Sequence, residues 1–232
     1  MTTAVFFDVD FTLIYPGPMF RGEGYRQFGL RHGLDLDASK FDEAVRQAAP
    51  VLDAAQGEIY DPAIFHRYTA QIVRAMGGSG AGVDACAVEI YAEWASNHHF
   101  HLYEDVPDTL RALSERGIRM GLISNSHRCL ASFQSHFELE GLVSAALSSS
   151  DHGYMKPHPS IFQAALQLLD VPAAEAVMVG DSLGQDVAGA LAVGMRAVLV
   201  RRGADGVERL SPPDEFAGVP VVASLRELVP LL

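Results

Sequence analysis

The hydrophobic positions of the chain follow two different patterns. Short apolar runs that suit buried strands occur near the N-terminus, as AVFF, and again in the second half, as IRMGLIS, VSAALSS, AVMVG and RAVLV. The segments between the later runs have apolar residues at every third or fourth position, which is typical of amphipathic helices. Strands that alternate with helices in this way predict an α/β fold, a Rossmann-like doubly wound parallel sheet that includes the N-terminal strand.

A long segment between the first two strands has a different character. From Met19 to about Phe100 the spacing is helical, as in FDEAVRQAAPVLDAA and PAIFHRYTAQIVRAM, and no run has the pattern of a strand. We therefore expect an α/β core domain of residues 1–15 and 101–232, with an inserted all-helical domain of residues 16–100.

Composition and charge narrow the class of partner. The 232 residues are 49% hydrophobic and 20% charged, which is ordinary for a globular protein. The net charge of -12 leaves no basic surplus to displace counterions from nucleic acid, so we expect a small molecule as partner. The first residues, MTTAVFFDVD, lack a basic region, and no apolar run has membrane-spanning length. These features predict a cytoplasmic protein that does not bind a membrane.

Two acids stand at the end of the first apolar run, where strands usually carry Val, Ile or aromatic residues. In FFDVDFTLIY they are Asp8 and Asp10. Because residues i and i+2 of a strand face the same side, we expect the two carboxylates to form a pair. Later strands also end in polar residues, with Ser124 and Asn125 after one and Asp181 after another.

The carboxyl ends of parallel strands meet at one edge of a sheet, which is where ligands of such folds bind. We therefore expect Asp8, Asp10, Ser124 and Asp181 to converge there, with Lys156 reaching in from the loop after the third strand. Three clustered carboxylates need a cation, and an all-oxygen set suits Mg²⁺, which also shares phosphate oxygens of a substrate. A lysine facing such a cluster is a point charge for phosphate. The sequence thus predicts a Mg²⁺-dependent enzyme for a small phosphorylated metabolite.

The residue types also indicate a mechanism. A carboxylate is ionised at neutral pH and needs no general base, so one aspartate can attack phosphorus and form an acyl phosphate. The other can give a proton to the leaving oxygen and later take one from water.

Four short segments resemble, in order, the four motifs of the haloacid dehalogenase superfamily, in the branch with a helical cap between the first and second motifs. The segments are DVDFT at 8–12, SN at 124–125, Lys156 in MKPHP, and GDSLGQD at 180–186. The resemblance implies a phosphatase that acts on phosphate monoesters, with residues 16–100 as a mobile cap.

The resemblance also implies individual roles. Asp8 would be the nucleophile and Asp10 the acid and base, with Lys156 as a third catalytic residue. The phosphate and the nucleophile would be oriented by Thr12, Ser124, Asn125 and Lys156. The ligands of Mg²⁺ would be the Asp8 side chain, the Asp10 carbonyl and Asp181, with Asp186 in support.

One position departs from the family pattern. Phe11 stands where family members usually carry glycine. Since a bulky residue at positive φ is costly, we expect this turn to keep a negative φ or to be strained. The ring could instead narrow the entrance for the substrate.

Several alternatives stay open. A phosphosugar mutase, a 2-haloacid dehalogenase and a phosphonatase share the resembled core, although Asp10 argues against dehalogenation, and Lys40, the only candidate for a Schiff base, fits a solvated helix face. GDSLG also matches the G-x-S-x-G pattern of serine hydrolases, with Ser182 as nucleophile. That fold needs a histidine after the serine, and the last histidine here is His158. A non-catalytic binding module is the remaining alternative.

Two further groups of residues have ambiguous patterns. His98, His99 and His101 allow a zinc site, but a polar hinge between the two domains explains them equally simply. His127 and Arg128 follow Ser124 closely and fit either a contact with substrate or a solvated turn.

Overall fold

The chain folds into two compact units in the structure, a computed structural model that describes residues 2–55, 59–202 and 214–232. The first unit takes in Met1–Tyr15, Gly57–Ile59 and Leu102–Leu232, as far as the structure describes them. The second unit takes in Pro16–Gln56 and Tyr60–His101, again within the described ranges.

The described residues contain eight strands. They are β1 (Ala4–Phe7), β2 (Ile14–Pro16), β3 (Phe100–Leu102), β4 (Arg119–Ser124), β5 (Ala145–Ser148), β6 (Ala176–Gly180), β7 (Arg196–Val200) and β8 (Val221–Val222). Six of them form a sheet in the order β5-β4-β1-β6-β7-β8, and every neighbouring pair is parallel. β2 and β3 form a separate two-stranded sheet. The predicted α/β class with a parallel sheet is therefore confirmed.

Helices account for most of the remaining regular structure. They are α1 (Gly22–Arg31), α2 (Phe41–Asp53), α3 (Pro62–Ala75), α4 (Gly82–Trp94), α5 (Val106–Glu115), α6 (Leu130–His136), α7 (Ser149–His152), α8 (Pro159–Leu169) and α9 (Ala188–Ala192). The first four belong to the second unit and the others to the first. None of the helices in the described part of the chain is long and apolar enough to cross a membrane.

The central position of β1 explains why its four residues, AVFF, are all apolar. β1 lies between β4 and β6, and all four of its residues are buried. A strand of a parallel sheet that is covered on both faces has a continuous apolar run instead of an alternating one. One face of the sheet packs through Phe6 and Met178 against Ile161 and Phe162 of α8. The carboxyl end of β1 is therefore held firmly between two neighbouring strands.

The second unit is helical and closes around aromatic side chains. Phe20 contacts the rings of Phe28, Trp94 and Phe100 at centroid distances of 4.7 to 6.4 Å. The N-terminus of α3 is capped by Asp61, whose carboxylate accepts a hydrogen bond from the backbone N–H of Ala63. The predicted helical periodicity between Met19 and Phe100 thus corresponds to helices α1–α4.

A buried ion pair ties together three distant segments of the first unit. Both oxygens of Asp105 accept from Arg202 at 2.8 Å, and Arg202 also donates to the Thr12 carbonyl at 2.6 and 3.2 Å. Asp105 further accepts from the Ser224 hydroxyl and the Leu225 N–H, each at 2.6 Å. Because Thr12 lies in the loop that follows β1, this network fixes that loop to α5 and to the C-terminal segment.

The surroundings of Asp105 favour its ionised form. Burial raises the pKa of this carboxyl, but the Ser224 hydroxyl, the Arg202 charge and the Leu225 N–H outweigh burial and lower the pKa below its ordinary value. A carboxyl whose pKa is lowered by folding stabilises the folded state at every pH above its unfolded-state pKa, and this contribution is lost as the pH falls through the folded-state pKa.

We predict that Asp105→Asn lowers the free energy of unfolding at pH 7 by about 3 kcal/mol, because the guanidinium of Arg202 is left buried without its counter-charge. Urea denaturation measures this change. The matched control is Asp108→Asn on the same helix, where Asp108 is exposed and pairs with Arg111. An exposed pair contributes about 0–1 kcal/mol, so the control variant should unfold almost like the wild type.

The difference between wild type and Asp105→Asn should also depend on pH. We expect it to be constant between about pH 7 and pH 5 and to shrink as the pH falls below about 3.9, the ordinary pKa of aspartate. A difference that stays constant down to pH 3 would contradict the lowered pKa of Asp105.

Candidate active site

The first site residue follows directly from the end of β1. The backbone N–H of Asp8 donates to the Val179 carbonyl of β6 at 2.9 Å, which continues the sheet by one residue. The carboxylate is buried; its Oδ1 accepts from the Lys156 ammonium at 2.7 Å, whereas Oδ2 has no hydrogen-bond partner among the described residues. An unsatisfied buried carboxylate oxygen is costly and indicates a ligand site.

Lys156 is enclosed at the centre of the site. Its ammonium donates to Asp8 and Asp186, both at 2.7 Å, and to the Ile123 carbonyl at 2.9 Å. The Asn125 side chain holds the backbone of Lys156 in two directions, since it accepts from the Lys156 N–H at 2.7 Å and donates to the Lys156 carbonyl at 3.0 Å. The predicted approach of Lys156 to the carboxylates is therefore present, and Asn125 fixes the lysine in place.

Two further carboxylates come from the segment after β6. Asp181 follows the strand, and Asp186 lies in a π-helix, Leu183–Val187. Asp186 accepts from the backbone N–H of Ser182 at 3.0 Å and lies directly over Gly180. A Cβ at Gly180 would come within 2.2 Å of the Asp186 carboxylate, so only glycine permits this close approach.

The three acids form one cluster. One oxygen of each of Asp8, Asp181 and Asp186 lies within 4.8 Å of the others. Burial raises the pKa of Asp181 to about 7, and the charge of Asp186 adds to this effect. Burial raises the pKa of Asp8 well above its ordinary value, and Asp186 and Asp181 act in the same direction against Lys156. The cluster therefore has the all-oxygen ligand set of a cation site.

In Lys156, the effect of neighbouring charges on the pKa exceeds the effect of burial. Burial alone lowers the pKa of Lys156, but the charges of Asp186 and Asp8 outweigh burial and raise the pKa above its ordinary value. Lys156 is therefore protonated at neutral pH and remains a fixed positive charge at the rim of the sheet.

Asp10 is not one of the three acids of that cluster among the described residues. Its Oδ1 accepts from Nη2 of Arg128 at 3.1 Å. β1 ends at Phe7, so the strand alternation from which we expected a pair of carboxylates does not extend to residue 10. The pairing of Asp10 with Asp8 and the role of the Asp10 carbonyl as a ligand of the cation stay predictions.

The hydroxyl groups expected near phosphate differ in their contacts. The Thr12 hydroxyl is buried and has no hydrogen-bond partner among the described residues. Ser124 ends β4, and its hydroxyl lies 2.9 Å from the hydroxyl of Ser126. The Thr12 hydroxyl comes from the loop after β1 and the Ser124 hydroxyl from the end of β4. Both lie at the same edge of the sheet as Asp8.

Phe11 adopts the conformation that was expected to be costly. Its φ is 66°, in the left-handed region, so the expectation of a negative φ is wrong and the strained alternative applies. A non-glycine residue pays roughly 1–2 kcal/mol in this region. The ring is 44% exposed.

The sequence left Arg128 as either a contact with substrate or part of a solvated turn. The solvated turn does not apply to Arg128, whose side chain is 0% exposed. An arginine four residues beyond the end of a strand carries no periodic signal, and its partner Asp10 lies 118 positions away in the chain. Only the fold reveals this ion pair.

Other candidate residues have different surroundings. The Ser182 hydroxyl accepts from the Gln185 N–H at 3.1 Å, which is the role of a helix-capping residue. Glu93, His98 and His99 come within 4.8 Å of one another, and Glu93 and His99 are 3.1 Å apart in a hydrogen bond. His101 is not part of this group among the described residues.

Comparison with known proteins gives consistent results. A family model of haloacid dehalogenase-like hydrolases matches residues 2–194. The human haloacid dehalogenase-like hydrolase domain-containing protein 3 is 30% identical over 223 residues, which cover 91% of this chain and 86% of that protein. The ribulose-1,5-bisphosphate 5-phosphatase of Halopiger xanaduensis is 31% identical over 204 residues, covering 86% of this chain and 84% of that protein.

A solved structure has the same fold. The crystal structure of a HAD phosphatase from Thermococcus onnurineus superposes with a TM-score of 0.65 at 24% identity, covering 100% of this chain and 97% of that one. Together with the extent of the family match, these relatives confirm the predicted superfamily and the prediction of a hydrolase. The chain belongs to the haloacid dehalogenase-like hydrolases.

Proposed function

We propose that the protein is a Mg²⁺-dependent phosphatase that hydrolyses a small phosphate monoester through an aspartyl-phosphate at Asp8. The observation that carries this proposal is the buried cluster of Asp8, Asp181 and Asp186 around Lys156. The relationship to a ribulose-1,5-bisphosphate 5-phosphatase supports a phosphorylated substrate.

The residues present fit a magnesium ion. The cluster offers only oxygen ligands, which Mg²⁺ prefers. Asp8 has a buried oxygen without a partner, and the one ammonium leaves the three acids with an excess of negative charge. Asp8, Asp181 and the Asp10 carbonyl would hold the ion, with Asp186 in support. When bound, Mg²⁺ supplies positive charge to the phosphoryl oxygens and keeps Asp8 ionised.

Asp8 is the proposed nucleophile. A carboxylate oxygen of Asp8 attacks phosphorus, the bond from phosphorus to the ester oxygen breaks, and an acyl phosphate forms on the enzyme. The position of Asp8 immediately after the central strand holds this oxygen in place before the substrate arrives.

Asp10 is the proposed acid and base. Its carboxyl gives a proton to the departing ester oxygen and then accepts one from the water that hydrolyses the acyl phosphate. The Asp10 side chain is 17% exposed and accepts from Arg128, whereas that of Asp8 is 10% exposed and accepts from Lys156. Two aspartates in different surroundings suit two different tasks.

Positive charge and hydrogen-bond donors for the phosphoryl group come from the neighbouring loops. Lys156 is the fixed cation, and the hydroxyls of Thr12 and Ser124 are the proposed donors to phosphoryl oxygens. Asn125 contributes by holding Lys156 in position. We also propose that the helical unit, residues 16–100, is the cap that selects the substrate and excludes water from it.

The alternatives fit the residues less well. A haloacid dehalogenase needs no acid beside its nucleophile, whereas Asp10 is held by a buried arginine. A serine hydrolase would need a free Ser182 hydroxyl, and that hydroxyl caps a helix here. A phosphosugar mutase uses the same core chemistry, and product analysis with a sugar phosphate separates it from a phosphatase.

We predict that Asp8→Asn abolishes turnover of p-nitrophenyl phosphate, with a loss on the order of 10⁶-fold, as expected when a covalent nucleophile is removed. The wild type should also give an acid-stable phosphoenzyme after rapid quenching with labelled substrate, and the variant should give none. The control is Asp108→Asn, far from the cluster in sequence and exposed, which should keep wild-type rates. Near-normal turnover by Asp8→Asn would remove Asp8 from the role of nucleophile.

We predict that Asp10→Asn lowers kcat for benzyl phosphate, whose leaving alkoxide needs a proton, by about 10²–10⁴-fold, the usual contribution of a general acid and base. Circular dichroism should show an unchanged fold. A variant that retains more than about a third of the wild-type rate would exclude Asp10 from proton transfer in the rate-limiting step.

We predict that EDTA abolishes turnover and that added Mg²⁺ restores it. Mg²⁺ should also raise the thermal midpoint of the wild type, because an ion that binds only the folded state stabilises it. In Asp181→Asn the Mg²⁺ concentration for half-maximal stabilisation should rise by about tenfold or more. Turnover that is insensitive to EDTA would contradict the metal site, and an absence of any turnover would favour a binding module.

A further inference from the structure

We infer that Arg128 is a positioning residue that fixes the orientation of the Asp10 carboxyl and determines which of its two oxygens exchanges the proton. This inference rests on the proposed function of Asp10 and goes beyond it, because it assigns a role to a side chain in the turn after β4. Nη2 of Arg128 donates to Oδ1 of Asp10 at 3.1 Å.

The chemistry of the guanidinium determines which oxygen of the Asp10 carboxyl exchanges the proton. Arginine has five N–H donors and no acceptor, and it stays protonated in proteins. Oδ1 of Asp10 can therefore only accept from Arg128, whether Asp10 is ionised or neutral. Because a carbonyl oxygen accepts a hydrogen bond better than a hydroxyl oxygen does, the contact favours a neutral Asp10 with its proton on Oδ2. That proton passes to the ester oxygen as the bond from phosphorus to this oxygen breaks and the bond from Asp8 to phosphorus forms.

The turn that carries Arg128 is anchored on both sides. The hydroxyls of Ser124 and Ser126 lie 2.9 Å apart in a buried contact. The Ser126 carbonyl accepts from the Ser149 hydroxyl at 3.4 Å and from the Ser150 N–H at 3.3 Å. Because these contacts tie the turn to the segment that follows β5, the backbone of Arg128 is held in place. A catalytic acid must be positioned precisely, and the buried Arg128 side chain provides this positioning for Asp10.

The contact of the guanidinium distinguishes this role from direct binding of phosphate. The Arg128 side chain is 0% exposed, and its Nη2 donates to the Asp10 carboxylate, whose side chain is 17% exposed. Arg128 therefore acts on the reaction through the carboxylate that it holds. An ion pair at this depth also fixes its acidic member more firmly than an exposed pair can.

The test compares two substrates of similar size that differ in their need for an acid. The alkoxide of benzyl phosphate is a poor leaving group that needs a proton, whereas p-nitrophenolate leaves without one. The measured quantity is kcat/KM, which reports every step up to departure of the alcohol or phenol. Wild type, Arg128→Met, Arg128→Lys and Asp10→Asn are assayed with both substrates in saturating Mg²⁺.

We predict that Arg128→Met lowers kcat/KM by about 10²-fold for benzyl phosphate and by less than about tenfold for p-nitrophenyl phosphate, in parallel with Asp10→Asn. Arg128→Lys keeps the charge without the rigid fork, so its selective loss should be smaller, about tenfold for benzyl phosphate. In an Asp10→Asn background, Arg128→Met should cost less than about threefold more, since the two residues act as one unit.

The control is Arg111→Met, which removes an exposed arginine on α5 and should leave both rates unchanged. Equal losses for the two substrates, in whichever Arg128 variant folds, would overturn the inference, and so would a full additional loss in the Asp10→Asn background. The proposed function fails separately: in that case the wild type hydrolyses neither ester, or Asp8→Asn is as active as the wild type.

Discussion

The ammonium of Lys156, surrounded by the carboxylates of Asp8 and Asp186 and by the Ile123 carbonyl, is the interaction on which the site depends. Like charges at this separation repel strongly in a buried environment, and one cation makes their approach tolerable without neutralising all of them. The remaining negative charge supports the proposed site for a divalent ion. The parallel sheet keeps these charged groups close together, because it brings distant chain segments to the same edge and leaves them little freedom to separate.

Two arginines hold the loop after β1. Arg202 donates to the Thr12 carbonyl, and Arg128 donates to the Asp10 carboxylate. Phe11 lies between these two anchored residues and has a φ of 66°. Strained backbone persists where the surrounding contacts over-determine it. The loop therefore keeps its shape although it lacks the glycine that would adopt this shape at lower cost.

The sequence predicted the parallel sheet and the approach of Asp8, Lys156 and Asp181 at one edge of it. The apolar runs identify the strands, and the rules of parallel sheets place the polar residues at their carboxyl ends side by side. It could not predict Arg128 as the partner of Asp10. The partner of a long side chain depends on its rotamer and on packing across the sheet, neither of which leaves a pattern in the chain. The φ of Phe11 was also undetermined, since residue preference argued for one sign and the loop anchors impose the other.

The different partners of Asp8 and Asp10 show why two residues so close in sequence can suit different tasks. Alternation along a strand would give both carboxylates the same surroundings, but β1 ends at Phe7 and Asp10 already bridges to Ile14 in the turn. Asp8 contacts the Lys156 ammonium, whereas Asp10 accepts from the Arg128 guanidinium. These surroundings fit the proposed division between a nucleophile among other charges and an acid and base that one arginine holds. The end of strand geometry after Phe7 thus supports the asymmetry that the proposed two-step hydrolysis needs.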